Sequence, residues 1–349
     1  MFSQLTKAAK LGHLIPPYQN RFHARHQTHN NAFILRSLIE CACDHSETLY
    51  VAFVNISNTF PSTNHSALWN CLEDLGLTGM YYDWLRSLYS NMCYRLILGE
   101  QSSEDFKAGS GVLIRDPVSP MLWNLYLSTF SLPPHKHDIA LNGTTISHLE
   151  HANDMVIISR SPTGLQHHLD ALQLWCYNNF LTLSPSKSEV MIFGNICPHV
   201  SEVNIIKYIT SDLDLSAPPQ FTINGHTLRL TNHFKYVGIT FCSVKKDIFT
   251  VVYNNKLKAT TISSHGILGT EHLVGRGHLP PKSAKHLYTA LVDCHLIFGC
   301  EIVLNITDSA AHHLEKVQHA FFCHILGLSS NSILTPLYTE TGICPIHIC

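Results

Sequence analysis

The spacing of apolar positions changes period repeatedly along this chain, and each change marks an element. THNNAFILRSLIECAC sets Phe33, Leu35, Leu38 and Ile39 at helical intervals, with a start near Thr28 or Asn30. LYVAFVNI (49–56) is an unbroken apolar run rich in β-formers, which predicts a buried strand. A turn at 58–61 then leads into the helix HSALWNCLEDLGL, stopped at Gly76. TGMYYDWLRSLYSNM predicts a second helix. YRLILGEQSSEDFKAG predicts a hairpin about Gly99 and Glu100, with Arg95, Ile97 and Phe106 available for pairing.

Further on, GSGVLIRDPVSPMLWNLYLSTF is a glycine-rich turn entering an apolar helix, and ISHLEHANDMVIISR has the form strand, tight turn at 152–154, strand. SPTGLQHHLDALQLWCYNNF places Leu165, Leu169, Leu172 and Trp175 on one helical face, with Ser161 as its cap. LTLSPSKSEVMIFG predicts another strand. Residues 195–220 are polar and proline-containing, an insertion or linker. FTINGHTLRL predicts a hairpin on Asn224-Gly225, and HFKYVGITF a strand; beyond 245 the pattern is helical, through KSAKHLYTALVDCHLIFG and SAAHHLEKVQHAFFCHILGL. No internal repeat is visible. Hairpins and helices on an antiparallel sheet, followed by a helical region, make the class α+β.

Composition changes that picture little. With 349 residues and 45% hydrophobic content the chain can bury a sizeable core in about two domains. Only 14% is charged, yet the apolar content excludes wholesale disorder. No apolar run is long enough for a membrane span or a signal peptide, so an intracellular protein, nuclear or cytoplasmic, is expected. The 12 cysteines are scattered and read as reduced thiols. Despite 25 histidines, no pair such as Cys41 and Cys43, His167 and His168, or His312 and His313 is followed by a fitting partner pair for zinc. A net charge of -2 is a poor match to a polyanion.

The motifs point the other way. LYVAFVNISNTFPSTNHSALW (49–69), GVLIRDPVSPMLWNLYL (111–127), LEHANDMVIIS (149–159), LTLSPSKSEVMIFG and FKYVGITF (234–241) follow one another in a fixed order. In this order they resemble the reverse transcriptases of non-LTR retrotransposons over roughly residues 20–345. The resemblance implies a right-hand polymerase palm at 49–242, interrupted by the linker near 195–220. It also implies a partial fingers remnant at 1–48, a helical thumb-like region at 243–349, and no endonuclease domain ahead of them. Phe-Pro after the strand, the ISHLE lead-in and the late FGCE look most like elements of fungal genomes.

Such enzymes transfer nucleotides with two Mg2+ ions, and magnesium wants anionic oxygen ligands. An RNA template and a DNA primer are the partners that the resemblance implies. Its residues carry over unevenly. Asn55 stands where the first metal-binding Asp belongs, Asn153 where the hairpin pair has its first Asp, and Asp154 remains. Phe60 matches the aromatic that selects deoxynucleotides, and Lys187 the proton donor to pyrophosphate. Arg115, replacing a glycine, Asp116 and Ser119 match the segment contacting template and nucleotide. Tyr236 and Gly238 match the strand that grips the primer. From the residues alone Asp154 is equally a turn former, Phe60 a core aromatic, Lys187 a solvated lysine, Asp116 a helix start, and Tyr236 with Gly238 packing and a bulge.

Asn is nearly isosteric with Asp but neutral. At about 3 kcal/mol for each lost ligand, two exchanges slow catalysis on the order of ten-thousandfold. Asp to Asn, Gly to Arg, Arg to His and Arg to Cys each follow from one C-to-T or G-to-A change, which suits a decayed element copy rich in His and Cys. An active polymerase tolerating Asn ligands, with manganese in place of magnesium, and a non-catalytic nucleic-acid-binding scaffold on the same fold are the alternatives.

Overall fold

The computed structural model describes residues 26–194, 219–243, 247–271, 279–303, 306–329 and 334–346. It also describes Gly275, Ser332 and, among the first 25, residues 5–7, 9, 12, 14–16 and 18–22. The chain separates into two compact units, Met1–Asn232 and His233–Cys349.

In the first unit, α1 (His29–Asp44) precedes the buried strand β1 (Leu49–Asn55). The short helix α2 (Thr59–Ser62), α3 (His65–Asp74) and α4 (Met80–Asn91) follow. Two small ribbons come next, β2 (Cys93–Tyr94) with β5 (Phe106–Lys107) and β3 (Ile97–Leu98) with β4 (Gln101–Ser102). The apolar helix α5 (Ser119–Leu127), the ribbon β6 (Ile139–Leu141) with β7 (Thr144–Ile146), and the hairpin β8 (His148–His151) with β9 (Asp154–Ser159) complete the middle of the unit. Then come α6 (Pro162–Asn178), β10 (Glu189–Phe193), the ribbon β11 (Thr222–Ile223) with β12 (His226–Thr227), and β13 (Arg229–Leu230).

One five-stranded sheet, in the order β13-β10-β1-β9-β8, organises these elements. β1 pairs antiparallel with both β9 and β10, so it is central and flanked on both edges. Alternate residues of β1, Tyr50, Ala52 and Val54, join a core cluster with Leu165, Leu169 and Leu172 of α6. Val51 and Phe53, pointing the other way, are buried as well. They fall outside that cluster, as do Leu35, Leu38 and Ile39 of α1, which packs on β8 and β10. A strand covered on two faces has no reason to alternate, which explains its unbroken apolar run.

Local expectations fare differently. Both asparagine- and glycine-centred hairpins form, and Ser161 Oγ accepts from Gly164 N at 3.0 Å as the α6 cap. Phe33, assigned to the apolar face of α1, is 50% exposed. The turn expected at 58–61 contains α2, entered through Asn58 at φ 45°. The strand expected from Leu181 starts only at Glu189, because Pro185–Lys187 forms a 3-10 turn; Pro185 has no N–H to give a ladder. The linker expected at 195–220 lies outside the described residues up to 218.

In the second unit HFKYVGITF is not one strand but the hairpin β14 (His233–Tyr236) with β15 (Ile239–Cys242), folded at Val237 (φ 43°) and Gly238 (φ 93°). This hairpin, expected to belong with the preceding sheet, packs on α7 (Thr250–Gly269). α8 (Pro281–Tyr288), a π-turn (Thr289–Asp293) and α9 (Cys294–Ile297) follow, then α10 (Asp308–Ile325) and α11 (Leu334–Thr341). Tyr288, Phe321 and Phe322 centre its core, with ring centroids 4.6–5.4 Å apart. Among the described residues ten cysteines are free, and no helix is long and apolar enough to cross a membrane.

Candidate active site

The end of β1 and the start of β9 meet in register, with Asn55 opposite Asp154. Both side chains are half-buried, and Asn55 Nδ2 donates to Asp154 Oδ1 at 2.8 Å. The turn between β8 and β9 is tight, with Ala152 at φ 59°. Beyond it, Asn153 O accepts from Ile56 N at 2.9 Å. Three of the expected positions, 55, 153 and 154, therefore come together at one point of the sheet.

Two buttresses were not visible in the sequence. Ser188 Oγ accepts from Asn55 N at 3.2 Å and donates to Ser184 O at 2.6 Å, fastening β1 to the segment before β10. Gln19 is fully buried; its Oε1 accepts from Ala152 N at 3.3 Å and Arg21 N at 2.9 Å, and its Nε2 donates to Glu150 Oε2 at 3.2 Å. Gln19 thus grips the hairpin turn from a segment more than 130 residues away. Ser188, as the serine of the Lys-Ser signature, offered a faint cue; Gln19 offered none. Burial raises the Glu150 carboxyl above its ordinary pKa. Burial, then the charge of Arg21, pushes His151 down to about 4, against a pull upward from Asp154.

The remaining positions serve the scaffold to different degrees. Phe60 in α2 is half-buried and makes an edge contact with Trp123, with a centroid separation of 6.5 Å. Its carbonyl accepts from Val112 N at 2.8 Å, which ties α2 to the loop that carries Arg115. Gly111, at φ 100°, is disfavoured for a side chain, and a Cβ there would stand a tight 3.1 Å from Pro61 O. Arg115 is exposed and holds φ 69°, a conformation suited to glycine. Asp116 Oδ2 accepts from Val118 N at 3.2 Å and Ser119 Oγ at 3.4 Å, so it starts α5. Ser119 is fully buried. Lys187 is exposed, one residue from the Ser188 that holds Asn55. Tyr236 and Gly238 lie in the second unit. Tyr236 is buried, and Gly238 makes a tight turn, not a bulge, with Phe298 so close that a Cβ would come 2.8 Å from its ring.

A strand end facing a hairpin turn, with side chains from both aimed at one point, is the layout of a palm-type nucleotidyl-transfer site. The family model for reverse transcriptase (RNA-dependent DNA polymerase) matches residues 1–241, and the chain belongs to this family. It is 22% identical over 305 residues to a Pol polyprotein of the R2 retrotransposable element from Popillia japonica, covering 84% of this chain and 47% of that protein. It is also 22% identical over 235 residues to the RNA-directed DNA polymerase of the mobile element jockey from Drosophila melanogaster, covering 65% and 23%. These are non-LTR retrotransposons, and the chain spans less than half the length of either relative. Among solved structures, a telomerase from Candida tropicalis superposes with a TM-score of 0.43 at 12% identity, covering 70% of this chain and 43% of that one.

Polymerases of this family use divalent metal ions, and the present donor set fits them poorly. The Asn55–Asp154 pair offers one carboxylate, and one of its oxygens is taken by an amide N–H. Among the described residues no group of three His, Cys, Asp or Glu side chains is arranged to hold a metal ion.

Proposed function

We propose that this chain is a non-LTR reverse transcriptase domain that has lost nucleotidyl transfer through the exchanges at 55 and 153. The observation that carries this reading is the 2.8 Å hydrogen bond from Asn55 to Asp154. Two carboxylates at that separation repel unless a cation lies between them. An amide satisfies Asp154 without one, so the pair is complete in the absence of metal and presents too little charge to recruit it. Arg115 supports the same reading, because it occupies a left-handed position beside the template-contacting segment. The near-neutral balance of 23 Lys and Arg against 25 Asp and Glu argues for weakened hold on RNA template and DNA primer, and against a binding scaffold. The histidine and cysteine richness fits decay by transitions from a basic ancestor, one whose fungal origin rests on sequence details alone.

Primer extension on an RNA template tests this directly. With magnesium or manganese the chain as it stands is expected to add no nucleotides, and Asn55→Asp with Asn153→Asp to recover activity by on the order of ten-thousandfold. Extension by the unaltered chain overturns the reading. Silence from both moves the defect to Arg115 or to the lost basic surface.

A further inference from the structure

The second unit buries a lysine. Lys256, on α7, is 8% exposed, and no carboxylate among the described residues forms an ion pair with it. Its Nζ donates to Leu296 O at 2.9 Å and to Cys300 Sγ at 3.4 Å. Cys300, in the turn after α9, donates from Sγ to the same Leu296 O at 3.2 Å. Amine nitrogen and thiol sulfur therefore share one acceptor and touch each other, from positions 44 residues apart.

A buried ammonium is ordinarily paired with a carboxylate, because taking an unpaired charge out of water is costly. Capping the end of α9 requires only the bond to Leu296 O and leaves the approach to sulfur unaccounted for. Cys300 is half-buried, so a small oxidant reaches it from solvent. Among the described residues no other cysteine has a lysine nitrogen at hydrogen-bonding distance; Cys242 and Cys323 are buried, and Cys294 is exposed. The turn that carries Cys300 also leans on the β14–β15 hairpin, with Phe298 against Gly238 and Gly299 against Ile239.

We propose that Lys256 and Cys300 form an oxidative cross-linking site, which hydrogen peroxide closes as a sulfenamide. Peroxide first oxidises the thiol: Sγ gains one oxygen as a sulfenic acid, and the rest of the peroxide leaves as water. Sulfenic acids then condense with a neighbouring nucleophile, and the one in contact with Sγ is the lysine amine. Nζ, as the free amine, attacks sulfur; the S–N bond forms, the S–O bond breaks, and the hydroxyl leaves with an amine proton as a second water. The pair loses two electrons overall and the peroxide gains them. Excess thiol reverses the link by attack on sulfur, which returns the amine and, through a mixed disulfide, the cysteine. Once closed, the bridge ties α7 to the turn after α9 and restrains the unfolded chain across the 44 residues between them.

Peptide mapping of the full chain by mass spectrometry tests the proposal, with hydrogen peroxide raised until the exposed Cys294 is oxidised. A peptide pair joining Lys256 to Cys300 is expected, lighter by two hydrogens than the sum of its parts and lost after dithiothreitol. This readout needs no variant, so it stands whether or not a substitution folds. Lys256→Met fills the same space without the nitrogen; it should abolish the link and raise dimedone labelling of the Cys300 sulfenic acid several-fold. Lys258→Met, at an exposed position of α7, should leave link and labelling unchanged. The proposal is overturned if Cys300 stays reduced or ends as an unlinked oxidised acid in the unaltered chain. A link that retains the oxygen, or one that survives Lys256→Met through another lysine, overturns it as well.

Discussion

Asn55 and Asp154 sit opposite each other across two strands, so exchanging one atom of the pair changes the electrostatics of the whole strand end. Asn55→Asp alone is expected to destabilise the protein in EDTA at neutral pH, by up to about 4 kcal/mol at an effective dielectric of 20. Part of that loss should return with magnesium or manganese, and urea unfolding with and without metal measures it. An unchanged midpoint would mean that the pair is too solvated to matter. Arg115→Gly should stabilise by about 1 kcal/mol, since φ 69° disfavours a side chain, and the same unfolding assay reads it. His151 carries a pH prediction. Its pKa falls from 6.5 to about 4 in the folded chain, so the unfolded state takes up the proton first as pH drops. Its contribution is present above pH 6.5 and is lost as pH falls toward 4, about 3 kcal/mol in total. His151→Phe should flatten that acid limb, and a wild-type slope retained in the variant would exclude it. At this scale the sequence was informative wherever a position has a neighbour in its own motif, as at 153 and 154. The contacts of Gln19 and Ser188 were invisible because their partners are defined only by strand pairing.

Element by element, local chemistry decided the outcome where it was strong. Asn224-Gly225 makes its hairpin, and Ser161 caps α6; Ser161→Ala is expected to cost about 1 kcal/mol, measurable by thermal unfolding. A loss under a few tenths would mean that packing of Leu165, Leu169 and Leu172 alone holds the first turn. Where two elements compete for one apolar stretch, periodicity misleads. The HFKYVGITF stretch has the composition of a strand, yet Val237 and Gly238 fold it back through positive φ, and the close approach of Phe298 leaves room only for glycine at 238. Pro185 similarly shortens the strand before β10. Phe33 follows the helical period of α1 but lies beyond the stripe that the sheet covers.

At the scale of the molecule, each compact unit has an apolar core of its own, so residues 1–232 expressed alone should unfold cooperatively. A molten fragment by near-UV circular dichroism would show that the first core depends on the second unit. The order of motifs along the chain was enough to establish an α+β polymerase fold of the reverse transcriptase family, because motif order and residue type are properties of the sequence itself. Only the tertiary structure decided that Asn55 satisfies Asp154 and that Gln19 holds the hairpin turn. Those contacts join residues far apart in the chain, and burial rather than spacing brings them together.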